Sequence, residues 1–177
     1  MNELILGGAR SGKSHYAETR AVKSGLDVIY VATAQALDDE MQQRIKHHQQ
    51  QRPSHWQLIE EPINLVSVLK EKANNKTCIL VDCLTLWLSN QLCSEEHKNK
   101  LENNVNNLII LIEELAQSNG NIIFVSNEVS MGVIPMGEMS RQFVDETGRL
   151  HQRLAAVCDN VTLMVAGIPS HIKGTKS

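Results

Sequence analysis

The sequence predicts an α/β protein whose mostly parallel central sheet is flanked by helices. Short β-branched apolar runs alternate with longer amphipathic stretches, the pattern of βαβ units. Each run is apolar almost throughout, as expected of strands covered on both faces. A glycine-rich loop joins the first run to the first helix.

The strands expected are Glu3–Leu6, Asp27–Ala32, Thr77–Val81, Asn121–Ser126 and Val161–Ala166. Helices are expected between them: Lys13–Ser24 after the glycine loop, a polar one over Asp38–Gln51, and Ile63–Ala73. A longer helix is expected from about Glu95 to Gln117. Its apolar residues Leu101, Val105, Leu108, Ile109, Ile112 and Leu115 share one helical face, and Ser118-Asn119-Gly120 stops it. The last helix spans about Glu138–Cys158, with Phe143, Leu150, Leu154 and Val157 turned inward.

The 177 residues fit one domain of ordinary size. They are 42% hydrophobic but only 3% aromatic, so the core should be aliphatic. A formal charge of −3 and a pI near 6.2 argue against a nucleic-acid partner, which calls for a strongly basic balance. The N-terminus carries no leader pattern, and no apolar run reaches the length of a membrane span. A soluble, cytoplasmic protein is expected. Cys78, Cys83, Cys93 and Cys158 form no CxxC pair; three lie in or near apolar segments, and the reading is reduced thiols of core type.

The chemistry begins at Gly7-Gly8-Ala9-Arg10-Ser11-Gly12-Lys13-Ser14, which matches G-x4-G-K-[ST] between a strand and a helix. Glycines let main-chain N–H groups turn toward phosphate oxygens, and the helix N-terminus adds its positive dipole end. Lys13 can reach the β- and γ-phosphates, and the Ser14 hydroxyl can ligate Mg²⁺. The second part of such a site is an acidic residue closing a buried strand. Asp82, after Thr77–Val81, supplies it as a ligand for Mg²⁺ or its waters. Glu128, after Phe124–Asn127, is a second acidic candidate at a strand's carboxyl end; a solvated loop entry is the alternative.

Residues 38–56 are polar nearly all round and hold His47, His48 and His55 with Arg44, Arg52 and Trp56. Cations suit a triphosphate, and a neutral imidazole can attack phosphorus. A solvated surface explains a histidine pair equally well, and no zinc-ligand spacing is matched. Three readings stay open on the residues alone: a nucleotidyl transferase, a plain P-loop kinase of small molecules, and a non-catalytic GTP-binding regulatory module.

Several blocks together resemble the bifunctional adenosylcobinamide kinase / adenosylcobinamide-phosphate guanylyltransferase family of cobalamin biosynthesis. They are GGARSGKS at 7–14, YVATA at 30–34, DDEMQQRIKHHQQQRPSHW at 38–56, VDCLTLWLSN at 81–90, SNEVSMGVIP at 126–135, RQFVDETGRLHQRLAA at 141–156 and VAGIPSHIK at 165–173. The resemblance covers about residues 3–173. The chain reads as a single P-loop domain of RecA-like kind over residues 1–177, with 173–177 as a frayed tail, and the resemblance implies assembly as a homotrimer. It implies two reactions. ATP or GTP phosphorylates the hydroxyl of adenosylcobinamide. GTP then donates GMP to adenosylcobinamide phosphate, through a histidine–GMP adduct, giving adenosylcobinamide-GDP and pyrophosphate.

By motif position His48 matches the nucleophile, with Lys13 assisting. The matching nucleotide contacts are Gly7, Gly8, Ala9, Arg10, Ser11, Gly12, Lys13, Ser14, Ala32, Thr33, Ala34, Gln49, Gln50, Gln51, Arg52, Glu60 and Asp82. The chain departs from the family pattern at Ser130, where glycine is expected, at Val144, where arginine is expected, and at His151, where asparagine is expected. These departures bear on the corrinoid acceptor and the kinase step, not on the glycine loop or His48.

Overall fold

The structure, a computed structural model, describes residues 1–35, 39, 43, 53–117 and 121–174. The strands are β1 (Asn2–Gly7), β2 (Asp27–Ala32), β3 (Gln57–Glu60), β4 (Thr77–Asp82), β5 (Asn121–Asn127), β6 (Asn160–Val165) and β7 (Ile168–Lys173). The helices are α1 (Lys13–Lys23), α2 (Leu65–Lys72), α3 (Leu84–Leu92), α4 (Glu95–Lys98), α5 (Leu101–Gln117) and α6 (Glu138–Val157). The seven strands form one sheet in the order β3-β2-β4-β5-β1-β6-β7, parallel except for the β6–β7 pair.

All five expected strands are present, and alternate residues along them feed two cores. Leu4, Leu6, Ile29, Val31, Ile79, Val81, Ile122 and Phe124 face the layer carrying α2, α3, α5 and α6. Ile5, Val28, Tyr30, Leu80, Ile123 and Val125 face α1 and Trp56. α1 presents Ala17 and Ala21 there, both fully buried. Small side chains let a helix lie close to a sheet, which draws the glycine loop down onto the strand ends. The core is mostly aliphatic as expected, although Trp87 and Phe124 are fully buried within it.

Where the elements differ from expectation, the cause is local. β3 has four residues at the sheet edge with only Ile59 half-buried, so it offers no continuous apolar run. α3 buries Leu84, Thr85, Trp87, Leu88, Gln91 and Leu92, and a helix covered on most sides shows little amphipathic period. β6 stops at Val165 rather than Ala166. Ala166 and Gly167 have φ of 51° and 81° and turn the chain into β7, a two-residue hairpin. The helix expected over Glu95–Gln117 is two helices, α4 and α5, parted at Asn99-Lys100. α2 starts two residues late because Glu61 Oε1 accepts from the amides of Ile63 and Asn64, at 2.9 and 2.7 Å. Most of the polar helix expected over Asp38–Gln51 lies outside the described residues; Asp39 and Gln43 are described, and both are helical.

Candidate nucleotide-binding site

The glycine loop leaves β1 at the sheet's carboxyl edge and enters α1 at Lys13. Its geometry requires glycine at two points. A Cβ on Gly7 (φ 156°) would lie 2.6 Å from the Met164 carbonyl oxygen and 2.6 Å from Ser11 Oγ. Gly12 has φ 92°, and a Cβ there would sit 3.2 Å from Gly167 Cα. The α1 N-terminus has no side-chain cap and no acidic residue in its first turn, so its free N–H groups and dipole are open to an anion. Ser11 Oγ is buried and finds no hydrogen-bond partner among the described residues.

Lys13 is 7% exposed, and its Nζ donates to the Gly8 carbonyl at 2.6 Å, which holds the ammonium over the loop. Burial lowers its pKa, while Asp82 and Cys83 act in the opposite sense. Asp82 was expected beside the loop. The topology corrects the route: β5 runs between β1 and β4, so the two strands are not neighbours. Contact is made by side chains. Ser14 Oγ donates to Asp82 Oδ2 at 2.9 Å, and the Tyr30 hydroxyl donates to the same oxygen at 2.9 Å. A hydroxyl and a carboxylate converging at a phosphate loop are hard oxygen donors that fit Mg²⁺, which favours few protein ligands plus substrate oxygens. Tyr30 opens the YVATA block, but its role was not marked; by pattern it reads as one apolar residue in a buried strand.

The other expected contacts line up along the same edge. Glu60, Ala32 and Asp82 stand in register on β3, β2 and β4. Glu60 is exposed, and Ala32 and Ala34 are half-buried. Thr33 is fully buried and already committed. Its N–H donates to Asp82 O at 3.2 Å, and its hydroxyl donates to Cys83 O at 2.7 Å and accepts from Cys83 N at 2.9 Å. Asn90 Nδ2 donates to its carbonyl at 2.8 Å. Thr33 therefore ties the ends of β2 and β4 together. Burial and the adjacent Asp82 push the Cys83 thiol up to about 11, so it is inert. Gly8, Ala9 and Arg10 lie exposed on the loop, Arg10 with φ 55°. His47, His48, Gln49, Gln50, Gln51 and Arg52 lie outside the described residues. Trp56, just beyond them, is buried against α1, and His55 is exposed.

Glu128 also reaches this edge. Its N–H donates to the Gly7 carbonyl at 2.9 Å. Its Oε1 accepts from Ser130 N at 2.7 Å and from the Ser130 hydroxyl. His151 of α6 places Nδ1 4.0 Å from Glu128 Oε2 and Nε2 2.7 Å from Ser126 Oγ. Ser130 and His151, read as departures that bear on the acceptor and the kinase step, thus meet at Glu128, just past the strand that lies between β1 and β4.

A parallel sheet with a glycine loop, a buried lysine and a serine–aspartate pair at its carboxyl edge defines a P-loop nucleotide-binding protein. Solved structures of similar fold agree. The flagellar accessory protein FlaH from Methanocaldococcus jannaschii has a TM-score of 0.59 at 14% identity, over 98% of this chain and 78% of that one. The RadB recombinase has a TM-score of 0.52 at 16% identity, over 92% and 73%. Residues 3–172 match the family described as cobinamide kinase / cobinamide phosphate guanyltransferase, and the chain belongs to that family. It is 51% identical to the bifunctional adenosylcobalamin biosynthesis protein CobP of Pseudomonas aeruginosa, over 98% of each chain. It is 37% identical to CobU of Escherichia coli, over 96% of this chain and 98% of that protein. Among the described residues no helix is long and apolar enough to cross a membrane.

Proposed function

We propose that this chain phosphorylates adenosylcobinamide with ATP or GTP, and then transfers GMP from GTP to adenosylcobinamide phosphate through a His48–GMP adduct. The observation that carries the reading is the Ser14–Asp82 pair closed over the glycine loop in a chain of this family. Main-chain amides of Gly7–Ser14 hold the triphosphate, and Lys13 neutralises charge on it. Glu60 and Ala32, in the row that ends at Asp82, meet the rest of the nucleotide, together with Ala34 and Gln49–Arg52. Ser14 and Asp82 would hold Mg²⁺, which withdraws charge from the phosphates when bound.

In the second reaction neutral His48 attacks the α-phosphorus, and the P–N bond forms as the bond to pyrophosphate breaks. The acceptor phosphate then takes GMP from the imidazole and restores it. The cation of Lys13 meets the pyrophosphate as it leaves. We assign the enzyme to the cytoplasm, with no nucleic-acid partner, as a homotrimer whose mass sedimentation would read.

Intact mass after incubation with GTP and Mg²⁺ tests the reading. A gain of one GMP is expected, and it should be lost in His48→Asn while phosphoryl transfer largely survives. Lys13→Ala should depress both reactions. Equal loss of both activities in a folded His48→Asn protein would contradict this division of labour.

A further inference from the structure

Ser130 and His151 come from different elements and meet on the carboxylate of Glu128, which neither reaction above uses. Glu128 follows β5, the strand between β1 with its glycine loop and β4 with Asp82, so it stands at the middle of the nucleotide edge. Its N–H is bonded to Gly7, which ties its position to the loop itself. The Glu128 side chain is 13% exposed, a costly place for a charge without partners. Burial pushes its carboxyl up, but the Ser130 hydroxyl and amide, with His151 and the Met131 amide, outweigh this and hold it below the ordinary carboxylate value. His151 is the titratable group facing it from α6, and its far nitrogen is anchored on the fully buried Ser126. The segment that follows is largely exposed, leaving an approach for a bulky acceptor.

We propose that Glu128 accepts the proton of the acceptor hydroxyl in the phosphoryl-transfer step, with Ser130 and His151 as positioning residues. The inference rests on the kinase half of the function proposed above. The hydroxyl oxygen forms a bond to the γ-phosphorus. The bond from that phosphorus to the β–γ bridging oxygen breaks, and the bridging oxygen leaves with the electron pair on the nucleoside diphosphate. The hydroxyl proton passes to the Glu128 carboxylate and from there to solvent. A carboxylate held in its ionised form suffices as the acceptor, as the catalytic-loop aspartate of protein kinases does for a substrate hydroxyl. Asp82 is less suited, since one of its oxygens already takes both the Ser14 and Tyr30 hydroxyls.

The test is steady-state phosphorylation of adenosylcobinamide by ATP and Mg²⁺, with triphosphate Kd and thermal midpoint as fold controls. Glu128→Gln keeps the shape and loses the basicity. Its kcat should fall about 10²- to 10⁴-fold, the range for a general base. KM for ATP should stay within about threefold, the signature of a contact made in the transition state. If Glu128→Gln does not fold, Glu128→Ala replaces it, read by the same split. Ser130→Ala should move the acidic limb of kcat to higher pH, because the carboxylate loses a donor that favours its ionised form. A folded Glu128 variant with unchanged kcat, or one raising only KM, overturns the proposal, and an unmoved limb overturns the role of Ser130. Wild-type protein that forms the GMP adduct yet makes no adenosylcobinamide phosphate overturns it as well, leaving the guanylyl reading intact. Wild-type protein that phosphorylates adenosylcobinamide yet forms no GMP adduct sinks the His48 reading alone.

Discussion

Replacing Gly7 by alanine places a methyl group where two oxygens already stand. The added Cβ would lie 2.6 Å from Met164 O on β6 and 2.6 Å from Ser11 Oγ, with Met164 Cβ at 3.2 Å. The Met164 oxygen is main chain in the strand paired with β1, so it yields only if the sheet edge or the loop moves. The dihedral adds to this, since φ of 156° is a conformation side chains rarely adopt. Backbone strain of this kind costs about 1–3 kcal/mol. Overpacking costs about 1–3 kcal/mol more. The sum, roughly 2–6 kcal/mol, converts to a thermal midpoint lowered by about 4–24 °C for a chain of this length. Gly8 is the control, because a Cβ there meets nothing within 4 Å. Gly8→Ala should leave unfolding in urea without nucleotide within about 0.5 kcal/mol of wild type. Ser11→Gly in the Gly7→Ala background removes one of the two clashes and should recover part of the loss. Equal stability of Gly7→Ala and Gly8→Ala, measured without nucleotide, would refute the reasoning.

Two further outcomes concern buried charge. Arg20 Nε donates to Glu3 Oε2 at 2.8 Å, with the side chains 10% and 2% exposed. Arg20→Met strands the carboxylate in the sheet and should cost about 3–5 kcal/mol in urea unfolding; a change below about 1 kcal/mol would show that water or a rearranged partner reaches Glu3. Burial, opposed by Glu128, holds the His151 imidazole below its ordinary value. The unfolded chain regains a pKa of about 6.5 and takes up a proton there that the folded chain refuses. His151 thus favours the folded state above that pH, and the contribution is lost as pH falls toward the folded value. Urea midpoints at about pH 7.5 and about pH 5.5 should fall more steeply in wild type than in His151→Asn; parallel falls would contradict the assignment.

What the sequence determined by itself is what short-range chemistry encodes. The five central strands are apolar because both their faces are buried, and that burial is written residue by residue. The glycine loop is legible because one backbone path around a phosphate demands glycine, lysine and serine at set spacing. Asp82 is legible because it closes a buried strand in a chain that also carries the glycine loop. The edge strands β3 and β7 were not legible, since a strand half in solvent needs no apolar run. α3 was hidden for the opposite reason: burial on most sides erases the helical period.

Only the tertiary structure decided which distant residues share an atom. Tyr30 and Ser14 arrive on one oxygen of Asp82 because β2 and β4 pair in register and α1 packs its alanines against them. Ser130 and His151 meet at Glu128 because α6 returns across the end of β5 after a long excursion. A pairing between residues far apart in the chain is set by the sum of many packing contacts along the elements that carry them. No local pattern in the sequence holds that sum.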